Sequence, residues 1–128
     1  MISEAQVLAA VLMHVPQRVR GLHLFRQSVG MVRINQEGPD TERVVRFGIP
    51  GMCDVSGLVE PQGWRVEIEC KRYGQNLSEK QHHWCGNMIA WGGIYYLARP
   101  QIHETLEDAV PRWSEDIEKL IAAKRKGR

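Results

Sequence analysis

The chain is expected to fold as an α/β domain, with one mixed central β-sheet flanked by helices in the order α-β-β-β-α-β-α. Three observations carry this expectation. Apolar stripes at helical spacing stand near both ends, at Val7, Leu8, Val11, Leu12 and Val15 and at Trp113, Ile117, Leu120 and Ile121. Trp64 to Lys71 alternates apolar and charged residues with the period of a strand. Ile94-Tyr95-Tyr96-Leu97-Ala98 is a continuous apolar run that suits an interior strand, and a helical segment separates it from the strand before.

The elements follow in order. Ser3, with Gln6 three residues on, makes a capping box for a helix from Ser3 to about Val15, and Pro16 to Gly21 should break it. Leu22 to Gln27 reads as the first strand. Gly30 to Arg46 holds Gly, Pro, Asn and Asp with little periodicity and is expected to be irregular; Arg33, Arg43 and Arg46 make it a candidate phosphate-contacting surface. Gly48-Ile49-Pro50-Gly51 is a tight turn into a strand that begins around Asp54, where Gly57 marks a bulge or a close backbone approach. A loop from Tyr73 to Asn76 leads to Ser78-Glu79-Lys80-Gln81, a second capping box, and to a helix reaching about Trp91 with Trp84, Met88 and Trp91 on its core side. Gly92-Gly93 stops that helix, and Pro100 ends the strand that follows.

Length and composition bound the function classes. At 128 residues the chain makes one domain, residues 1–128, and 43% apolar with 25% charged content is ordinary for a soluble globular protein. A net charge of +2 is too mild to argue for nucleic acid by itself. The run Lys124-Arg125-Lys126-Gly127-Arg128 suits either a phosphate backbone or the cation-favouring end of a helix dipole. The 3 cysteines are odd in number and unpaired by any CxxC, and there is no signal peptide or long apolar run. A reducing cytoplasm and no membrane are therefore expected. His82-His83-Trp84-Cys85 lacks the second ligand pair of a tetrahedral zinc site. Cys85 is instead expected in the core, with the histidines near a helix start.

The chemistry concentrates on Asp54 and Glu69-Cys70-Lys71. On a strand, Arg65, Glu67, Glu69 and Lys71 share one face, and Asp54 arrives from the preceding strand. Magnesium takes hard oxygen ligands, usually one or two carboxylates completed by water and substrate phosphates. Asp54 and Glu69 supply such carboxylates, while an ammonium at Lys71 suits charge growing on a phosphoryl group. Glu69 is preferred to Glu67 because it stands two before Lys71; Glu67 is then a solvated or supporting neighbour. Glu4 lies along the apolar stripe of the first helix, where it is either a third acid of the site or an anion favoured by the helix dipole. Gln81 is either a helix cap or an amide presented to the site.

Taken together, Gly48-Ile49-Pro50-Gly51-x-x-Asp54, Glu69-x-Lys71, Leu77-Ser78-x-x-Gln81 and Gly92-Gly93 before a strand resemble the VRR-Nuc domain, the virus-type replication-repair branch of the PD-(D/E)xK nucleases. The resemblance runs from about Glu4 to Ala98 and implies a restriction-endonuclease-like fold. It also implies metal binding by Asp54, Glu69 and the backbone carbonyl of Cys70, with Glu4 approaching the metal. Lys71 would be the catalytic lysine and Gln81 the motif glutamine. Cys53 and Glu79 depart from the pattern, where a small polar residue and a proline are frequent. The implied activity is a Mg²⁺- or Mn²⁺-dependent endonuclease acting on branched DNA such as four-way junctions or flaps. A homodimer in the cytoplasm of a bacterial or phage-infected cell, with no organic cofactor, is also implied. A noncatalytic DNA-binding module of the same fold and a nuclease for single-stranded nucleic acid are the competing readings.

Overall fold

The computed structural model describes residues 1–27, 30–35 and 42–127, the side chains of 30–35 and 42–47 excepted. Its elements run α1 (Glu4–Arg18), β1 (Leu22–Arg26), β2 (Gly30–Asn35), β3 (Glu42–Phe47), β4 (Val55–Val59), β5 (Trp64–Cys70), α2 (Glu79–Ala90), β6 (Ile94–Ala98) and α3 (Leu106–Gly127). Strands β1, β4, β5 and β6 form one sheet in that order, with β1-β4 and β4-β5 antiparallel and β5-β6 parallel. The sheet is mixed because a hairpin turn can join only antiparallel neighbours, whereas β6 is reached through α2. With its helices this sheet follows the expected α-β-β-β-α-β-α order.

Strands β2 and β3 pair antiparallel in a separate two-stranded sheet. The irregular segment expected from Gly30 to Arg46 is therefore corrected over 30–35 and 42–46, while 36–41 lie outside the described residues. Gly, Pro, Asn and Asp are present in it, but Val32 and Ile34 register with Val45 and Arg43 in a ladder that satisfies backbone groups regardless of polar neighbours.

Helix α1 also outruns its expected break, passing through Pro16 to Arg18. Proline removes one backbone donor, yet Val15 and Val19 on either side are buried against the sheet and hold the last turn in place. Both capping boxes form as read, at Ser3 with Gln6 and at Ser78 with Gln81. Helix α2 ends with the Gly93 amide donating to the Met88 carbonyl at 2.8 Å and the Gly92 amide to Ile89 at 3.1 Å, the crossed pair of a Schellman motif.

The two faces of the sheet do different work. Val55 and Val59 of β4, Val66, Ile68 and Cys70 of β5, and Ile94 and Ala98 of β6 point to α1 and α3 and form the main core, with Trp113, Ile117 and Ile121 of α3. Leu120 falls off that stripe and is exposed. The opposite face carries α2, whose Trp84 and Met88 pack with Cys53, Met52 and Tyr95. Trp91 does not join them. It follows the last helical residue, is 67% exposed, and meets Trp84 only edge-on, with ring centroids 6.0 Å apart. Cys85, one residue round the helix from Trp84, is half-buried rather than in the core, and His82 and His83 are exposed.

Gly57 resolves as a close approach rather than a bulge. It is in register with Leu24 of β1, and a methyl there would overlap the His23 carbonyl oxygen. Gly57→Ala must spread β1 from β4, so it is expected to lower stability by about 1–3 kcal/mol, the range for forced overpacking, measured by urea unfolding. A neutral result would mean that this strand pair tolerates separation.

Candidate active site

The site is built where β4 begins and β5 ends. Val55 is in register with Ile68, and continuing that antiparallel register by one residue sets Asp54 opposite Glu69. Asp54 and its neighbour are held from β1: the Gln27 amide donates to the Asp54 carbonyl at 2.6 Å, and its side-chain Nε2 donates to the Cys53 carbonyl at 3.2 Å. Arg65 completes this brace by donating to Gln27 Oε1 at 3.0 Å. On the other side, Gly51 has φ +91° and lies directly against the Lys80 carbonyl of α2. No side chain fits between them, so the turn before Asp54 and the first turn of α2 are in backbone contact beside Gln81.

Two side chains of α2 tie the helix to two carboxylates of β5. Gln81 Nε2 donates to Glu69 Oε1 at 2.9 Å, and Trp84 Nε1 donates to Glu67 Oε1 at 3.1 Å. Residues three apart on a helix and two apart on a strand each share a face, so one helix face can serve both acids. The alternatives for Gln81 are not exclusive. Its Oε1 accepts from the Ser78 amide at 2.9 Å, closing the capping box, while its Nε2 holds Glu69. Glu67 is not solvated as the sequence allowed: it is 0% exposed, with Arg65 at 3.5 Å as its ion-pair partner.

Lys71 follows β5 and is 7% exposed. Its Nζ lies 3.9 Å from Glu69 Oε1 and 3.9 Å from Glu4 Oε1. Glu4 thus lies beside Lys71 while standing in the first turn of α1, where the helix dipole also favours an anion. Glu69 itself is 2% exposed. Burial pushes its carboxyl up to about 7, the Cys53 thiol and the Lys71 ammonium pull it down, and Asp54 and Glu4 add upward pressure by like charge. Burial also drives the Cys53 and Cys70 thiols far above their ordinary range, with Glu69 adding to both. Neither is a thiolate near neutrality in the metal-free protein.

Asp54, Glu69, Lys71, Gln81, Glu4 and Cys70 are therefore brought to one place. The basic run is not. Lys124 lies 5.0 Å over the Trp64 ring and Arg125 donates to the Glu60 carbonyl at 2.7 Å, so both pack against the opposite end of β5, about 16 Å from Glu69 along the strand. Lys126 is exposed near them. Arg33 lies on β2 and Arg43 and Arg46 on β3, with side chains outside the described residues. Gln27 and Tyr95 of the surroundings are read from the sequence only as strand residues, and Trp84 only as a core side chain of its helix. Only Trp84 left a signal, standing one turn beyond Gln81.

Among the described residues no group of three or more His, Cys, Asp or Glu side chains is arranged to cage a metal ion. Magnesium does not need such a cage, since water and substrate oxygens complete its shell. The donor set fits a hard divalent cation: Glu69 Oε2 is buried without a hydrogen-bond partner, and Asp54 and Glu4 concentrate negative charge on the same group. Asp54, Glu69, the Cys70 carbonyl and Glu4 are the residues that would hold it.

The Glu69 shift sets a pH dependence. In metal-free protein the folded state keeps a proton on Glu69 up to about pH 7, whereas the unfolded chain releases it near 4.5. Stability from this group is therefore full below pH 4.5 and lost as pH rises through 7. Glu69→Gln should remove that decline, so the stability gap between wild type and variant, measured by urea unfolding in EDTA, narrows or reverses in favour of the variant between pH 4.5 and 7.5. A constant gap would mean that Glu69 titrates normally.

No protein-family model matches the chain, and no curated protein sequence matches it.

Proposed function

We propose that this chain is a divalent-metal-dependent endonuclease of VRR-Nuc type that hydrolyses phosphodiester bonds in branched DNA, such as four-way junctions or flaps. The observation that carries this reading is a buried lysine placed 3.9 Å from each of two carboxylates, one of them held by the Gln81 amide and faced by Asp54 across the strand register. A structural ion pair needs one acid for one lysine. Two acids against one ammonium, with Asp54 acting by like charge on one of them, leave an excess of negative charge that a divalent cation would neutralise. The order of Gly51, Asp54, Glu69, Lys71 and Gln81 along the chain supports the same reading.

Each side chain has a definable role. Bound magnesium or manganese would supply Lewis-acid polarisation and a water of lowered pKa. Asp54, Glu69, the Cys70 carbonyl and Glu4 would hold it, and Gln81 fixes the Glu69 carboxylate by its 2.9 Å hydrogen bond. Glu4 keeps the Lys71 ammonium in position, and Lys71 stabilises the charge that develops on the phosphoryl oxygens. Burial of Lys71 and Glu69 keeps that interaction from being screened by water. A homodimer acting on a symmetric junction would set two such sites about a two-fold axis, one for each strand. A cytoplasmic location in a bacterial or phage-infected cell belongs to the same proposal; among the described residues no helix is long and apolar enough to cross a membrane.

Incubation with four-way junction, flap, duplex and single-stranded DNA in Mg²⁺ or Mn²⁺ tests activity and substrate together. Asp54→Asn, Glu69→Gln and Lys71→Ala should each reduce cleavage by about 10²-fold or more with circular dichroism unchanged, and excess EDTA should abolish it. Wild-type-like cutting by all three variants, or cutting in EDTA, would sink the proposal. Absence of cleavage in either metal favours a noncatalytic binding module, and cutting confined to single strands favours the other alternative. Metal binding has a readout of its own. Because Mg²⁺ must displace the proton on Glu69, its thermal stabilisation of the protein should be larger at pH 8 than at pH 6, and Glu69→Gln should lose that difference.

A further inference from the structure

A cavity of about 930 Å³ is lined by Ile2, Tyr73, Ile102, His103 and Leu106 among others, and by no member of the acid-lysine cluster itself. Its walls connect to the acid-lysine cluster at three points. Tyr73 stands two residues after Lys71, at most about 7 Å along the chain. Ile2 stands two residues before Glu4, and Pro100, also on the wall, two after Ala98, whose carbonyl accepts from the Lys71 amide at 3.0 Å. Tyr73 is thus within about one nucleotide's reach of a phosphate held at Lys71.

We propose that the cavity is a subsite for the unpaired base next to the scissile phosphate, stacked on Tyr73. The inference rests on the nuclease reading above. The lining suits a neutral heterocycle better than a phosphate: its apolar walls offer stacking area, Gln6, Gln101 and Thr105 offer hydrogen bonds, and the Glu107 carboxylate disfavours an anion. Tyr73 is 45% exposed, a large aromatic with an open face. The wall opposite is preformed. His103 holds φ 60°, a conformation rare for a side-chain-bearing residue, within a turn closed by the Glu104 amide donating to the Gln101 carbonyl at 3.1 Å. Glu104 is clamped in turn by Arg112 through bonds of 2.7 and 2.8 Å, which hold its carboxyl below the ordinary range. Backbone strain retained at a cavity rim next to a reactive cluster is consistent with a binding role rather than a packing one. Fully paired duplex presents no such base, so the subsite would contribute to selection of flaps and branch points.

The test pairs a protein change with a DNA change. A flap substrate carries either a normal or an abasic first unpaired nucleotide and is cut by wild type, Tyr73→Ala and Tyr73→Phe. The abasic site should lower wild-type kcat/KM about tenfold, Tyr73→Ala should lower it by a similar factor on the normal flap, and the abasic site should then have no further effect. Tyr73→Phe should behave as wild type. A Tyr73→Ala enzyme that responds to the abasic site as fully as wild type does overturns the subsite. Binding is followed separately by fluorescence of 2-aminopurine at the same position, with the Lys71→Ala protein in Mg²⁺ and with or without Tyr73→Ala. Quenching that Tyr73→Ala abolishes supports the subsite, and quenching that it leaves intact overturns it. A wild type that cuts no DNA while showing Tyr73-dependent quenching overturns the nuclease reading alone.

Discussion

The arrangement depends on keeping one carboxylate out of water beside an ammonium. Removing Glu69 from solvent disfavours its ionised form, and the surrounding elements supply the offsets. The Gln81 amide reaches it from α2, Lys71 from the end of its own strand, and the Cys53 thiol from the segment before β4. Even so, burial prevails and its pKa remains near neutrality. That residual tension gives the site a higher affinity for a proton than a solvent-exposed glutamate has.

Precise placement of these groups requires the helix, the turn and two strands to be locked together. Gly51 allows backbone contact between the Asp54 turn and α2, and Gln27 pins Cys53 and Asp54 to the end of β1. The Trp84 to Glu67 bond repeats the Gln81 to Glu69 bond one step further along both elements. Glu67 therefore acts as an anchor for α2, and through α2 it governs the aim of Gln81. Ser56 Oγ, Glu67 Oε2 and Tyr95 Oη are buried on the same face, on neighbouring strands and without hydrogen-bond partners. A polar interior on the α2 side thus faces an apolar interior on the α1 and α3 side. The mixed character of β5 divides these two environments at every second residue.

Much of this was legible from residue order. Alternation along Trp64 to Lys71 assigned Val66, Ile68 and Cys70 to the core, and local capping rules placed the first residues of α1 and α2, because both depend on contacts within a few positions. The β2-β3 pairing, the passage of α1 through Pro16 and the exposure of Trp91 were not legible, since each depends on which surface lies nearby rather than on the segment itself. Glu67 shows the same limit: an acid on an alternating strand looks solvated until a helix is laid across it.

Residue types and spacing by themselves determined the α/β class, the order of the main elements and the identity of Asp54, Glu69 and Lys71 as a chemically meaningful set. Only the tertiary structure decided that Gln81 caps its helix and grips Glu69 at once, that Glu4 meets Lys71 across the fold, and that the C-terminal cations pack at the far end of β5. The physical reason is range. Capping and strand alternation act within a few residues, whereas burial, ion pairing and pKa depend on groups that meet only when distant segments pack.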